Sequence, residues 1–388
     1  MRDEPSPFRT LVWIRVALWL GTAATLLWAP LRRGISPLGA YGGLSDLVFG
    51  TFAQWDSVWF IHVADHGYDS DQVTAYFPLY PLVVRAVAVV TRSTVVAGVL
   101  VSLAAAGAAA MLLARLARPL LGERGAHDAV LYLALYPIAF VFTSVYSEGL
   151  FLAAAIGSFL AATRGRPWAA GVLGGLAVLT RATGLALLPS LALLLWRRRR
   201  RDVVPLALLP AALGGYMLYL RHARGDALAF AHVQSIYWNR HTPTLGPLGG
   251  LWEAVRRGWE GAAEVILHLP ARSGYPAGFG SSPHLGFYNA AHLALLAAAV
   301  WLTWEAWRRL GAAYGLYSAL AIAAVLGSTD RLFPLVGLPR YLLADFPLFL
   351  ALAALTRDRP RARTAVVVAF AAAGAAAGVA FSRRAWVS

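Results

Sequence analysis

The chain has 388 residues, 59% of them hydrophobic and only 14% charged, and apolar runs near membrane-spanning length recur along it; this excludes an ordinary soluble enzyme and makes it a polytopic membrane protein. A formal charge of +15 raises the question of nucleic acid, but the arginines cluster in short segments between apolar runs and form no interleaved basic and aromatic face, so the expected partner is a membrane and not nucleic acid. With no cysteine, disulfides, thiolate catalysis and Cys-ligated metals are excluded.

The first apolar run, Leu11 to Ala29, lacks a small-residue cleavage site and is followed by many more spans, so it reads as a retained helix and not a signal peptide. Further candidate spans lie near 94–116, 128–141, 148–163, 167–180, 184–196, 203–220, 286–304, 311–327, 341–355 and 364–381, about eleven in all. Several fall short of the roughly 20 residues that a full crossing needs, which predicts tilted, broken or merged helices. The expected architecture is therefore all-α, a single transmembrane domain over 1–388 with short interfacial helices in its extracytoplasmic loops.

Every basic residue is Arg and none is Lys, a composition that points to a GC-rich, bacterial genome and hence a bacterial plasma membrane. With the N-terminus cytoplasmic, the short inner segments receive just over half of the arginines, including the run Arg197 to Arg201, which reads as a topogenic anchor on the inner surface. This topology requires 76–91 to lie along the outer surface; if it crossed, the basic cluster at 115–124 would land outside. Two large outer loops result, about 30–93 and about 221–285, with shorter outer turns at 142–147, 181–183 and 328–340.

The first outer loop contains QWDSVWFIHVADHGYDSDQVTAYFPLYP, residues 54–81. Four aspartates at mid-bilayer would cost about 2.5 to 3.5 kcal/mol each, so the stretch belongs at the interface or in a wet cavity. Its tryptophans, tyrosines and phenylalanines suit an interfacial belt. From composition alone it is as readily a solvated loop with aromatic anchors as a site.

The order of residues goes further. WDSVWFIHVADHGY followed by AYFPLYP resembles the first outer loop of the PIG-V-type mannosyltransferases, within the GT-C superfamily. YPIAFVFTSVYSEGLF, GGLAVLTRATGLALLP and LPRYLLADFPLFLALA follow in the same order, so the resemblance covers most of the chain. It implies a polytopic GT-C-type bundle, a polyprenyl-phosphate-mannose donor, no cofactor, and transfer to a lipid-linked or cell-surface acceptor on the extracytoplasmic side. The loop topology derived from the arginines puts all four motifs on that side.

Displacement at the anomeric carbon needs a base for the acceptor hydroxyl and cations for the departing phosphate. Asp56, after Trp55, matches the acidic residue that GT-C enzymes place in this loop and is the expected base. One base with direct displacement implies inversion. The bland alternative is an N-cap for the helix starting near Ser57. Asp65, two and a half turns on, faces away from Asp56 along a straight helix, and Asp46, Asp69 and Asp71 read as solvated turn residues.

Glu148 and its neighbour Tyr146 in SVYSE sit at a membrane boundary, where an unpaired carboxylate is costly. Glu148 either orients a catalytic or substrate group or pairs with an arginine such as Arg181. Arg340 in LPRY and Arg181 in LTRATG are the expected cations for the carrier phosphate, because a guanidinium binds phosphate bidentately and stays charged; structural pairing is the alternative. His62 and His66, at i and i+4, share a helix face and are read as phosphate or sugar contacts; with no third ligand in suitable spacing, no metal is expected. In the second loop, HVQSIYWNRH (232–241) offers His232, Gln234, Trp238 and Arg240 as an acceptor or sugar surface, or else as a lid helix with aromatic anchors. Nothing in these motifs reads the stereochemistry of the sugar, so another polyprenyl-phosphate sugar is an open alternative. A transporter or flippase is disfavoured by the concentration of polar residues in asymmetric outer loops.

Overall fold

A computed structural model describes residues 53–267 and 283–382, together with residues 9, 12–14, 16, 17, 20 and 21. The candidate first span at 11–29 lies largely outside the described residues, and Asp46 and the rest of 30–52 in the expected first outer loop lie wholly outside them.

The described chain is helical apart from one two-residue ladder. Helix α1 (Asp56–His66) is followed by a 3₁₀ turn (Gln72–Ala75), α2 (Leu79–Thr91) and α3 (Thr94–Leu135). A second 3₁₀ turn (Ala139–Thr143) leads to α4 (Glu148–Thr163) and α5 (Pro167–Thr180), and a third (Ala182–Ala186) to α6 (Leu187–Trp196). A fourth (Arg200–Ala207) runs into α7 (Leu208–Arg224), then α8 (Ala229–Tyr237), β1 (Arg240–His241) and α9 (Pro247–Ile266). The remainder is α10 (Pro283–Leu310), α11 (Ala312–Leu326), β2 (Thr329–Asp330), α12 (Leu338–Leu343), α13 (Phe346–Thr356) and α14 (Pro360–Ser382).

Helix lengths bear on the expected count of spans. Among the described residues four helical segments are long and apolar enough to cross a membrane: Thr94–Leu135, Arg200–Arg224, Gly286–Leu310 and Pro360–Phe381. Six shorter apolar helices of 10–17 residues fill in around them, so the described helices do not confirm about eleven full spans. The reasons are local. The expected span at 341–355 breaks into α12 and α13 around Ala344 and Asp345, where Pro347 opens the second helix. That at 184–196 lies against a 3₁₀ turn, whereas that at 203–220 falls inside the long segment Arg200–Arg224. In α3, Pro119 and a left-handed Gly122 (φ 73°) kink one continuous helix between the two spans expected at 94–116 and 128–141. Helix α2, within 76–91, has 13 residues, about 20 Å, too short for a full crossing.

The core gathers around α4, which is apolar all round and accordingly buried on nearly every side. Small residues let its neighbours approach: a Cβ on Gly149 would lie 3.1 Å from the Ser102 carbonyl oxygen of α3, the close backbone contact on which helices in lipid rely. A three-residue turn joins α4 to α5, so the N-terminus of α4 and the C-terminus of α5 share one end of the bundle. There the irregular segments converge: α1, the turn after α5, β1 paired antiparallel with β2, and α12. Helix α9 packs its small face against α10 and α11 and leaves Leu248, Trp252, Trp259 and Ile266 exposed, the pattern of a helix lying at a membrane interface.

Candidate active site

At that end of the bundle a cavity of about 730 Å³ opens between α1, the turn after α5, α8, β1 and α12. Asp56 reaches it from the first turn of α1. The chain enters this helix through Trp55, at φ 58°, a left-handed conformation that costs a bulky residue of order 1–3 kcal/mol and that collects at functional sites. Asp56 is the first residue of the helix and Trp55 holds the cap position, without a side-chain capping hydrogen bond. The Asp56 carboxylate accepts from Arg340 Nη1 at 2.5 Å on Oδ2 and from the Tyr76 hydroxyl at 3.3 Å on Oδ1. Burial, with the Asp56 charge alongside, holds the Tyr76 phenol well above its ordinary pKa, so it remains a donor.

Arg340 is fixed from the other side by Glu148, which opens α4. Its Nε and Nη2 both donate to Glu148 Oε1, at 2.9 and 2.7 Å, and its guanidinium lies 4.7 Å from the centre of the Tyr146 ring. Arg181, just past the end of α5, donates Nη1 to the same Oε1 at 2.8 Å and sits 5.2 Å from the Tyr341 ring. Glu148 is fully buried at a helix N-terminus, where the backbone dipole favours an anion. Burial opposes the charge on Arg340, but Glu148 and Asp56 outweigh it and hold its pKa well above the ordinary value. Two carboxylates and two guanidiniums thus form one network of zero net charge. Glu148 pairs with Arg181 and, in addition, with Arg340, a contact that spans 192 residues and has no signature in local spacing.

Residues of the 221–285 segment supply another wall. His232 and Gln234 of α8, Trp238 at its C-terminal cap and Arg240 of β1 line the cavity. His232 is tied to Asp226 at 2.6 Å, and Arg240 donates to the carbonyl oxygens of Ser328 and Val336, at 2.8 and 3.1 Å. His241, next in the strand, also lines the cavity and pairs through Nε2 with Glu253 at 3.0 Å. Sequence reasoning passed over His241 because its partner stands twelve residues away on another helix.

His62 and His66 are not brought to this cavity. They stack on each other at 4.7 Å, and His62 binds the exposed Asp69 at 2.9 Å. Asp65 accepts from the Thr94 hydroxyl, and Asp71 pairs with Arg224. Among the described residues no group of three or more His, Asp or Glu side chains is arranged to hold a metal ion.

Residues 7–204, just over half of the chain, match the mannosyltransferase (PIG-V) family. The chain belongs to this family. The matched region holds Asp56, Glu148 and Arg181, while Arg240 and Arg340 lie beyond it. Among curated proteins, the rat GPI alpha-1,6-mannosyltransferase 2 is 30% identical over 162 residues, 39% of this chain and 33% of the relative. The mouse protein of the same name is 30% identical over 186 residues, 45% of this chain and 37% of the relative. The similarity therefore spans about a third of those relatives. Among solved structures, the apo oligosaccharyltransferase of Archaeoglobus fulgidus aligns over 96% of this chain and 55% of its own, at a TM-score of 0.43 and 14% identity. The same archaeal enzyme, AglB, with an inhibitory peptide and a dolichol-phosphate aligns at a TM-score of 0.40 and 13% identity.

Proposed function

We propose that this chain is a GT-C-type glycosyltransferase of a bacterial plasma membrane. It transfers mannose from polyprenyl-phosphate-mannose to a lipid-linked or cell-surface acceptor on the extracytoplasmic side, with inversion and with Asp56 as general base. The observation that carries this reading is the position of Asp56: a partly exposed carboxylate in a large cavity, oriented by an arginine that is itself anchored to the buried Glu148. Family membership supplies the sugar.

The acceptor oxygen attacks the anomeric carbon and gives its proton to Asp56, while the bond from that carbon to the phosphate oxygen breaks and its electron pair leaves with the phosphate. Oδ2 of Asp56 is committed to Arg340, whereas Oδ1 has only the long Tyr76 contact and keeps a lone pair for the acceptor hydroxyl. An ionised carboxylate is a weak base, but the attacking alcohol acidifies as its bond forms, so a well-positioned Asp accepts the proton late in the step.

Membranes given labelled polyprenyl-phosphate-mannose test this with wild type and Asp56→Asn, which is expected to lose about 10²- to 10⁴-fold in rate. Undiminished transfer by the variant removes Asp56 as base. Transfer by wild type only from another polyprenyl-phosphate sugar removes mannose, and a tag in the 221–285 loop that proves cytoplasmic removes the extracytoplasmic site.

A further inference from the structure

We propose that Arg240 holds the carrier phosphate, the role that sequence reasoning gives to Arg340 and Arg181. The inference rests on the lipid-phosphate donor proposed above and adds to it the residue that takes the charge. Charge accounting around the cavity carries it. Arg340 and Arg181 are matched by Asp56 and Glu148, so an anion drawn to either must compete with a carboxylate already in place, one of them buried. Breaking such a pair to make another gains little.

Arg240 is different. Two backbone carbonyls orient its guanidinium without cancelling its charge, and among the described residues it forms no ion pair with a carboxylate. Nearby acids are committed elsewhere. Asp330, its partner across the ladder, accepts from Asn239 Nδ2 at 2.8 Å and from the amides of Leu332 and Phe333, and Glu253 accepts from His241 and Thr329. Of the five N–H donors of a guanidinium, two are spent on the carbonyls and three remain.

The strand that carries Arg240 is also held firmly. Asn239 turns the chain from α8 into β1 at φ 52°, a conformation that asparagine tolerates better than most residues, and β2 locks the register. Arg240 is thus a pre-oriented, unneutralised cation in the cavity wall, which is what a phosphate site needs. Its contribution grows along the reaction. The donor is a phosphodiester with one negative charge, and cleavage at the sugar carbon leaves a monoester whose charge approaches two, so the attraction is stronger in the transition state than in the ground state.

Two measurements test this on the full chain in detergent. Wild type is expected to bind a polyprenyl monophosphate with an affinity that falls with salt, and Arg240→Gln to bind it at least about tenfold more weakly with a shallower salt dependence, as the loss of a charged hydrogen-bonding partner implies. In the second, wild type is treated with phenylglyoxal and its arginines are mapped by mass spectrometry, which needs no variant to fold. Saturating polyprenyl monophosphate should protect Arg240 and leave Arg197 to Arg201 reactive. Wild-type affinity and salt dependence in Arg240→Gln, or an unprotected Arg240 in the liganded protein, overturns the inference while leaving the donor reading intact. Protection by phosphatidylinositol vesicles but not by polyprenyl monophosphate assigns Arg240 to the acceptor and overturns it as well. Wild type that binds no polyprenyl monophosphate removes the donor reading and the inference with it.

Discussion

Glu148 and Asp128 are both fully buried carboxylates on helices of the bundle, each joined to arginine, and each leaves one oxygen without a partner. Asp128 sits past the kink of α3, where Arg363 from the start of α14 donates to it at 2.8 Å and His127 lies 3.8 Å away. That cluster fastens two helices. Around Glu148 the same chemistry has a further outlet, because Arg340 turns its remaining nitrogen to Asp56 and so into a cavity. A buried ion pair is thus no mark of function by itself; what matters is whether a partner has donors left to spend on a group that a substrate can reach.

Removing each carboxylate separates the two roles. Glu148→Gln leaves two guanidiniums short of their anion and is expected to cost about 3–5 kcal/mol of stability, with transfer falling further than the folded fraction does. For Asp128→Asn the cost is about 1–3 kcal/mol, since Arg363 is 29% exposed and can hydrate, and transfer per folded molecule should be unchanged. Thermal unfolding in detergent beside transfer normalised to folded protein reads both. Equal loss of normalised transfer in the two variants would erase the distinction.

The link from Arg340 to Asp56 gives the next largest effect. A double-mutant cycle of Asp56→Asn and Arg340→Gln should return a coupling of about 0.5–3 kcal/mol in stability, whereas the cycle of Asp128→Asn with Arg340→Gln should be additive. Gly337 supports the same arginine. It caps α12 at φ 78°, and a Cβ there would meet only ordinary contacts, 3.5 Å from Tyr341 and 3.8 Å from Arg240. The penalty for Gly337→Ala is therefore conformational, about 1–2 kcal/mol, and any loss of transfer beyond that stability cost would show that the loop aims Arg340 or Arg240.

Much of this was readable from the chain, for identifiable reasons. The apolar runs dictate helices in lipid, Glu148 and Arg181 stand out because a membrane makes them expensive, and Asp56 and Arg340 are picked out by motifs that resemble those of the family. Their meeting at one end of the bundle follows from helix hairpins that return to the same side. What spacing conceals is who pairs with whom. Arg340 satisfies Glu148 and Asp56 together, so its charge is already matched, and Arg240, read as part of an acceptor or sugar surface, is held by carbonyl oxygens that leave its charge unmatched. His62 and His66 looked like site residues by their i, i+4 spacing, yet that spacing fixes only that they share a face, and the face is turned to Asp69. Helix lengths were hidden in the same way, since composition does not register the breaks at Asp345 or before Leu187.

The pair of His62 with Asp69 provides the smallest test and the sharpest contrast with the cavity cluster. Its hydrogen bond from His62 holds the exposed Asp69 carboxyl below its ordinary pKa. A folded value depressed in this way contributes stability that is present above the ordinary aspartate pKa of about 3.9 and is lost as the pH falls through the lower folded value. The melting temperature of wild type should therefore exceed that of His62→Ala slightly at mildly acidic pH, and the two should converge as acid protonates Asp69. Because the pair is solvent-exposed, molar salt should also remove the difference. The penalty of Glu148→Gln should survive the same salt, since Glu148 is fully buried; a network that salt weakened as readily as the His62 pair would mean that Asp56 and Arg340 meet in open water, and with that the contrast between an oriented base and a surface ion pair would fail.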